Sequence, residues 1–132
     1  DAPPTEENRM IGYVTLGSND LDRGGDFYDA VLGEAGIKRL SRTDRMVVWG
    51  DGSGSMLMIC TPWDQGAATA GNGVMVAIKV DSKEAVDRAH ARALELGGAD
   101  EGAPGPRGDA GYYFGYFRDL DGNKVAIFVA AG

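Results

Sequence analysis

Ile11-Gly12-Tyr13-Val14-Thr15-Leu16-Gly17-Ser18-Asn19-Asp20 leads into a helical stretch that closes on Leu32-Gly33-Glu34-Ala35-Gly36. Gly73-Val74-Met75-Val76-Ala77-Ile78-Lys79-Val80-Asp81-Ser82 leads into another that closes on Leu94-Glu95-Leu96-Gly97-Gly98. A shift of 98 − 36 = 62 positions lays Val14 on Val76, Leu16 on Ile78, Asn19 on Asp81 and Leu32 on Leu94. Each copy reads as a strand, a polar cap, an amphipathic helix and a glycine stop. A repeat of this length is a supersecondary unit, and two such units bury a face together.

Outward from the first copy, the pattern predicts a strand over 11–17 and a helix from Asn19 or Asp20 to about Glu34. Leu21, Phe27, Val31 and Leu32 share its apolar side. Three short strands follow, near 37–40, 46–49 and 55–60, separated by turn residues. Thr61 to Gly71, with its proline, glycines and small residues, reads as a linker. The second copy predicts a strand over 73–80, a Ser82-capped helix from about Lys83 to Leu96 and a weak strand near 100–102. Ala103 to Gly111 reads as a loop that could serve as a lid. Strong strands over 112–118 and 123–129 flank an Asp119-Leu120-Asp121-Gly122 turn. Gly54 to Ile59 matches Gly122 to Ile127 at an offset of 122 − 54 = 68, so the second unit carries a short insertion. The expected fold is α+β, two βαβββ modules forming a curled mixed sheet with a concave cleft. Residues 10–131 form one domain: module one 10–61, linker 62–72, module two 73–131. Residues 1–9 read as a flexible extension, with Met10 as the native start.

Composition narrows the function. Hydrophobic content of 43% supports a folded core, and the 21 glycines match many short turns. With 20 acids against 13 bases the net charge is −7 and the pI about 4.6, which argues against nucleic acid and anionic membrane surfaces as partners. No stretch approaches the ~20 apolar residues of a membrane span, and no signal-peptide pattern opens the chain; the expected location is cytoplasmic. One Cys and one His cannot build a Cys/His zinc cluster. Cys60, after Met56-Leu57-Met58-Ile59, reads as a small buried hydrophobe, and His90 as a helix-packing or exposed surface residue.

The segment from Ile11 to Leu21, Phe27-Tyr28 on the first helix, and Tyr116-Phe117-Arg118-Asp119-Leu120-Asp121-Gly122-Asn123-Lys124 together resemble the vicinal oxygen chelate superfamily. That group includes glyoxalase I, bleomycin-resistance proteins, fosfomycin-resistance proteins and extradiol dioxygenases. Small members often carry RDPDGN before the last strand; here Leu120 replaces the proline. The resemblance implies the fold and a homodimer, and it leaves the substrate open. It also implies a divalent metal in the cleft, held by His, Gln or Glu on the first and last strands of each module. Those positions fall on Tyr13, Met58, Met75 and Ala126, none a normal ligand for a hard or borderline ion.

No metal site and no cofactor are therefore expected, and no catalytic residue stands out. Strand parity around the four positions gives a ligand cleft of Tyr13, Thr15, Trp49, Met56, Met58, Met75, Tyr113, Lys124, Ala126 and Phe128. The aromatic hairpin 112–117 and Trp63 are further candidate walls. The expected function is binding of a small apolar or aromatic molecule, unidentified in structure, although Met and aromatic residues on strands ordinarily just fill a core. Two alternatives stay open. One is a metal-dependent lyase or dioxygenase with displaced ligands, using Zn, Ni, Mn or Fe. The other is a structural or interaction module whose cleft is filled by its own side chains.

Overall fold

The 62-residue repeat governs the architecture. A computed structural model describes residues 10–130, so the 1–9 extension lies outside the described residues. Module one runs β1 (Tyr13–Gly17), α1 (Leu21–Gly33), β2 (Lys38–Arg42), β3 (Met46–Gly50) and β4 (Met56–Cys60). Module two runs β5 (Val76–Lys79), α2 (Lys83–Glu95), β6 (Ala99–Arg107), β7 (Tyr112–Arg118) and β8 (Lys124–Val129). The helices superpose at both ends, since 21 + 62 = 83 and 33 + 62 = 95. Each module forms a four-stranded mixed sheet, ordered β1-β4-β3-β2 and β5-β8-β7-β6, in which the first strand pairs parallel with the last.

Local chemistry explains the helix ends. Asp20 accepts the Arg23 amide at 3.1 Å and Ser82 Oγ accepts the Ala85 amide at 3.0 Å, so each cap satisfies a free N–H of the first turn. At the other end Ile37 N–H reaches the Leu32 carbonyl at 3.0 Å and Gly98 N–H the Ala93 carbonyl at 2.8 Å. Gly36 (φ +76°) and Gly97 (φ +103°) take the left-handed conformation that closes such an end.

The expected loop over 103–111 is overturned: residues 99–107 are strand, and only 108–111 turn. β6 is the outermost strand of its sheet, so Pro104 and Pro106 need not donate on the open side. Irregular register between Asp100 and Gly102, and between Gly102 and Gly105, absorbs the misfit. The insertion thus lengthens a hairpin. Smaller differences are strand ends: β2 starts one residue later and ends two later than expected, and β5 is confined to 76–79.

One face of each sheet lies against helix. Phe27, Tyr28, Val31 and Leu32 of α1 and Ala85, Val86, Ala89 and Ala93 of α2 share one core with Trp49, Ile59, Phe117, Val125 and Ile127. Large side chains on α1 complement small ones on α2, which lets the two helices pack together. Gly24 and Gly25 inside α1, unfavourable for an isolated helix, have a tertiary reason. A Cβ on Gly24 would come within 2.9 Å of Ile59 Cδ1, and one on Gly25 within 2.8 Å of the Arg39 guanidinium. Among the described residues no helix is long and apolar enough to cross a membrane.

Candidate functional site

The open sheet faces, turned away from the helices, carry the candidate site. On sheet one, Leu16, Val47, Trp49, Leu57 and Ile59 point into the core. Strand alternation therefore turns Tyr13, Thr15, Met46, Met56, Met58 and Cys60 to the open side. The linker folds back over them: Ala68 packs on Gly17, and Asn19 exchanges two hydrogen bonds with the Ala68 backbone, at 3.1 and 2.7 Å. A cavity of about 650 Å³ lies between, lined by Tyr13, Thr15, Met58, Cys60 and Trp63. The Arg45 guanidinium sits 5.0 Å from the Trp63 ring at its margin. Cys60, expected to be buried, is only partly so and borders this cavity.

On sheet two, Phe117, Val125 and Ile127 face the core. Ala77, Lys79, Tyr112, Phe114, Tyr116, Lys124, Ala126 and Phe128 occupy the open side by the same alternation. Phe114 stacks on Phe128 (centroids 4.7 Å, planes 9° apart) and on Tyr116 (5.6 Å, 11°). Tyr112 leans on Phe114 and Phe128 at 6.2 and 6.3 Å.

The ten residues expected to line one cleft are thus divided. Tyr13, Thr15 and Met58 share the sheet-one cavity; Lys124, Ala126 and Phe128 share the sheet-two face. Trp49, Met56 and Met75 border a separate cavity of about 800 Å³ along the seam between β5 and module one. Trp49 and Tyr113 stand on the helix-covered faces. Trp49 is fully buried against Tyr28 and donates from Nε1 to Asp29 at 2.9 Å. Tyr113 donates its hydroxyl to Asp87 of α2 at 2.7 Å, which holds the phenol above its ordinary range. Ala126 belongs to the open face but is covered completely. Arg45 and Arg107, which border the two open faces, were not singled out from sequence. Their proximity to Trp63 and Tyr116 is set by tertiary packing, with no local motif to mark it.

The family's metal does not fit this donor set. The four corresponding positions offer a phenol, two thioethers and a methyl group. Among the described residues no group of three or more His, Cys, Asp and Glu side chains is placed to hold an ion. Of the two roles expected for His90, helix packing or an exposed surface position, the structure shows the first. The residue is 5% exposed, and its Nε2 lies 3.1 Å from both Asp100 Oδ1 and the Tyr116 carbonyl. Because the carbonyl only accepts, Nε2 carries the proton. The Gly102 amide, and after it His90, hold the Asp100 carboxyl below its ordinary range.

The Asp119–Asn123 turn joins the modules. Asp119 is 6% exposed and accepts from Tyr28 Oη (2.6 Å), the Asp121 and Asn123 amides (2.9 Å each) and Asn123 Nδ2 (3.0 Å). Asn123 Nδ2 also reaches the Gly17 carbonyl of β1 at 3.0 Å, and Asp121 accepts the Asn19 amide at 2.9 Å. Burial, and then the Asp119 charge, raise the Tyr28 phenol well above its ordinary range. Gly122 (φ +87°) supplies the left-handed residue of the turn.

Paired βαβββ modules, each with one sheet face left open by the helices, define a class of small α+β proteins. The chain belongs to the Glyoxalase/Bleomycin resistance protein/Dioxygenase superfamily, whose family model matches residues 10–127. It is 34% identical to a glyoxalase/bleomycin resistance protein from Albidiferax ferrireducens T118, with TM-score 0.85, over 92% of this chain and 98% of that one. A glyoxalase/bleomycin resistance protein/dioxygenase family enzyme from Burkholderia phytofirmans PsJN is similar in fold (22% identity, TM-score 0.72, 90% and 97% covered). So is lactoylglutathione lyase from Agrobacterium tumefaciens (23%, TM-score 0.66, 96% and 95%). No curated protein matches the chain.

Proposed function

We propose that the chain binds a small apolar or aromatic molecule on its open sheet faces without the divalent metal usual in its superfamily. The observation that carries this reading is the chemistry of those faces. Where the metal's ligands belong there are Tyr13, Met58, Met75 and Ala126, and around them stand Thr15, Phe128 and an aromatic stack. Thioethers and rings supply adaptable, polarisable contact area. Lys124 adds a charged group that orients a ligand.

We further propose a homodimer. In the single chain Tyr13 is 57% and Met75 42% exposed, large apolar groups that a second copy would cover.

Two measurements test these proposals. Elemental mass spectrometry of tag-free protein, incubated with Zn, Ni, Mn or Fe salts and desalted, should find less than one-tenth of an equivalent of metal per chain. Near-stoichiometric metal would restore the lyase or dioxygenase reading. A thermal-shift screen of apolar and aromatic compounds should find ligands that raise Tm; a screen with none would favour a ligand-free interaction module.

A further inference from the structure

We propose that the open face of sheet two selects a planar aromatic anion, a ring system bearing a carboxylate or phenolate, and that Lys79, Lys124 and Arg107 make the selection. The proposal rests on the small-molecule reading above and adds the sign of the ligand's charge.

The ring geometry comes first. Tyr116, Phe114 and Phe128 form a continuous stack with planes 9–11° apart and successive centroids 5.6 and 4.7 Å apart. Parallel rings at these separations are laterally offset, so their faces cover one another only in part. The offset presents ring edge, the positive part of the aromatic quadrupole, to a visitor along the stack, while the Tyr116 face is taken up by Lys124 and Arg107. A planar ligand laid across these edges makes edge-to-face contacts, and these strengthen as its own π face becomes more electron-rich.

The charges point the same way. Lys124 Nζ lies 5.6 Å and the Arg107 guanidinium 5.5 Å from the Tyr116 ring, at one end of the stack. At the other end Lys79 is the cross-strand partner of Phe128. Neither Lys79 nor Lys124 has an ion-pair partner among the described residues. Lys124 also sits directly opposite Arg118 on β7, a like-charge pairing that costs a sheet stability. Glu101, 3.3 Å from Arg118, offsets only one of the two charges. The chain as a whole carries −7, so this face runs against the overall charge. Screening over about 8 Å leaves the local ammonium groups to act on a ligand in contact. A cationic ligand gains little here, because the protein's own Lys124 and Arg107 already lie over the Tyr116 ring.

Three probes with one ring system separate charge from apolar contact: 2-naphthoate, 2-naphthylmethanol and 2-naphthylmethylammonium. Isothermal titration of the full chain should show naphthoate binding about tenfold tighter than the alcohol, and the ammonium probe weakest. Lys124→Gln and Lys79→Gln should each weaken naphthoate about threefold and leave the alcohol unchanged. Phe114→Leu should weaken all three. Alcohol or ammonium binding as tight as naphthoate would overturn the selection and leave the small-molecule reading standing. A naphthoate preference unmoved by both lysine substitutions would place the anion site elsewhere and overturn the assignment. Binding of none of the probes would overturn this proposal, while hits in the broader apolar screen would still preserve the general reading.

Discussion

Asp119 shows how much one carboxylate carries. In sequence it reads as a turn former ahead of Gly122, and it is one; but its acceptors also hold Tyr28 from the other module. Removing it strands a buried hydroxyl. Asp119→Ala should therefore destabilise the fold by on the order of 3 kcal/mol in urea denaturation, and Tyr28→Phe by about 1 kcal/mol. The pH dependence has a definite sign. Because the folded Tyr28 pKa is raised, its contribution is complete below the ordinary phenol value of ~10 and is lost as pH rises above that value through the folded one. The difference in unfolding free energy between wild type and Tyr28→Phe, flat from pH 7 to 9, should shrink above pH 10. A difference that stays constant to pH 11 would contradict the burial of this phenol. Trp49 and Tyr113 teach a related lesson. Their types suited a cleft wall; Asp29 and Asp87 anchor both on the helix side, where Trp49 still borders the seam cavity, and neither anchor is close in sequence.

At the level of elements, both helices were legible because caps, apolar periodicity and glycine stops are local signals. Their ends fall within one or two residues of expectation. Ser82→Ala should lower stability by about 1 kcal/mol, and Asp20→Ala by a similar amount, read as a fall in Tm. Gly98 is under a constraint invisible in sequence: a Cβ would lie 2.8 Å from the Ala93 and Arg118 carbonyl oxygens. Gly98→Ala should cost about 1–3 kcal/mol, whereas Gly33→Ala, whose Cβ meets nothing within 4 Å, should be neutral or stabilising. The start of β6 reads as a weak strand, but its second half, from Ala103 on, reads as loop because Pro104 and Pro106 look like strand breakers until the strand is known to be an edge. Edge or centre is a property of the sheet, outside the reach of any window of residues.

For the whole molecule, the proposed homodimer is testable by sedimentation: the expected mass is twice 13.9 kDa. Tyr13→Asp, on an open face, should shift the population to monomer with little loss of chain stability. A monomer at all concentrations would leave each sheet face to act alone. The internal repeat determined the modules and their order by itself, because a strand, cap, helix and stop recurring at a constant offset is written in neighbouring residues. The lack of normal donors at Tyr13, Met58, Met75 and Ala126 is likewise a property of residue type, readable once the strands are aligned. Tertiary structure alone decided how the expected cleft divides among a sheet-one cavity, an aromatic face and a seam. It also set which side of β3 and β7 each aromatic occupies, and the clasp from Asp119 to Tyr28. These depend on strand register and module packing, and a slip of one residue in register exchanges every side chain between core and open face.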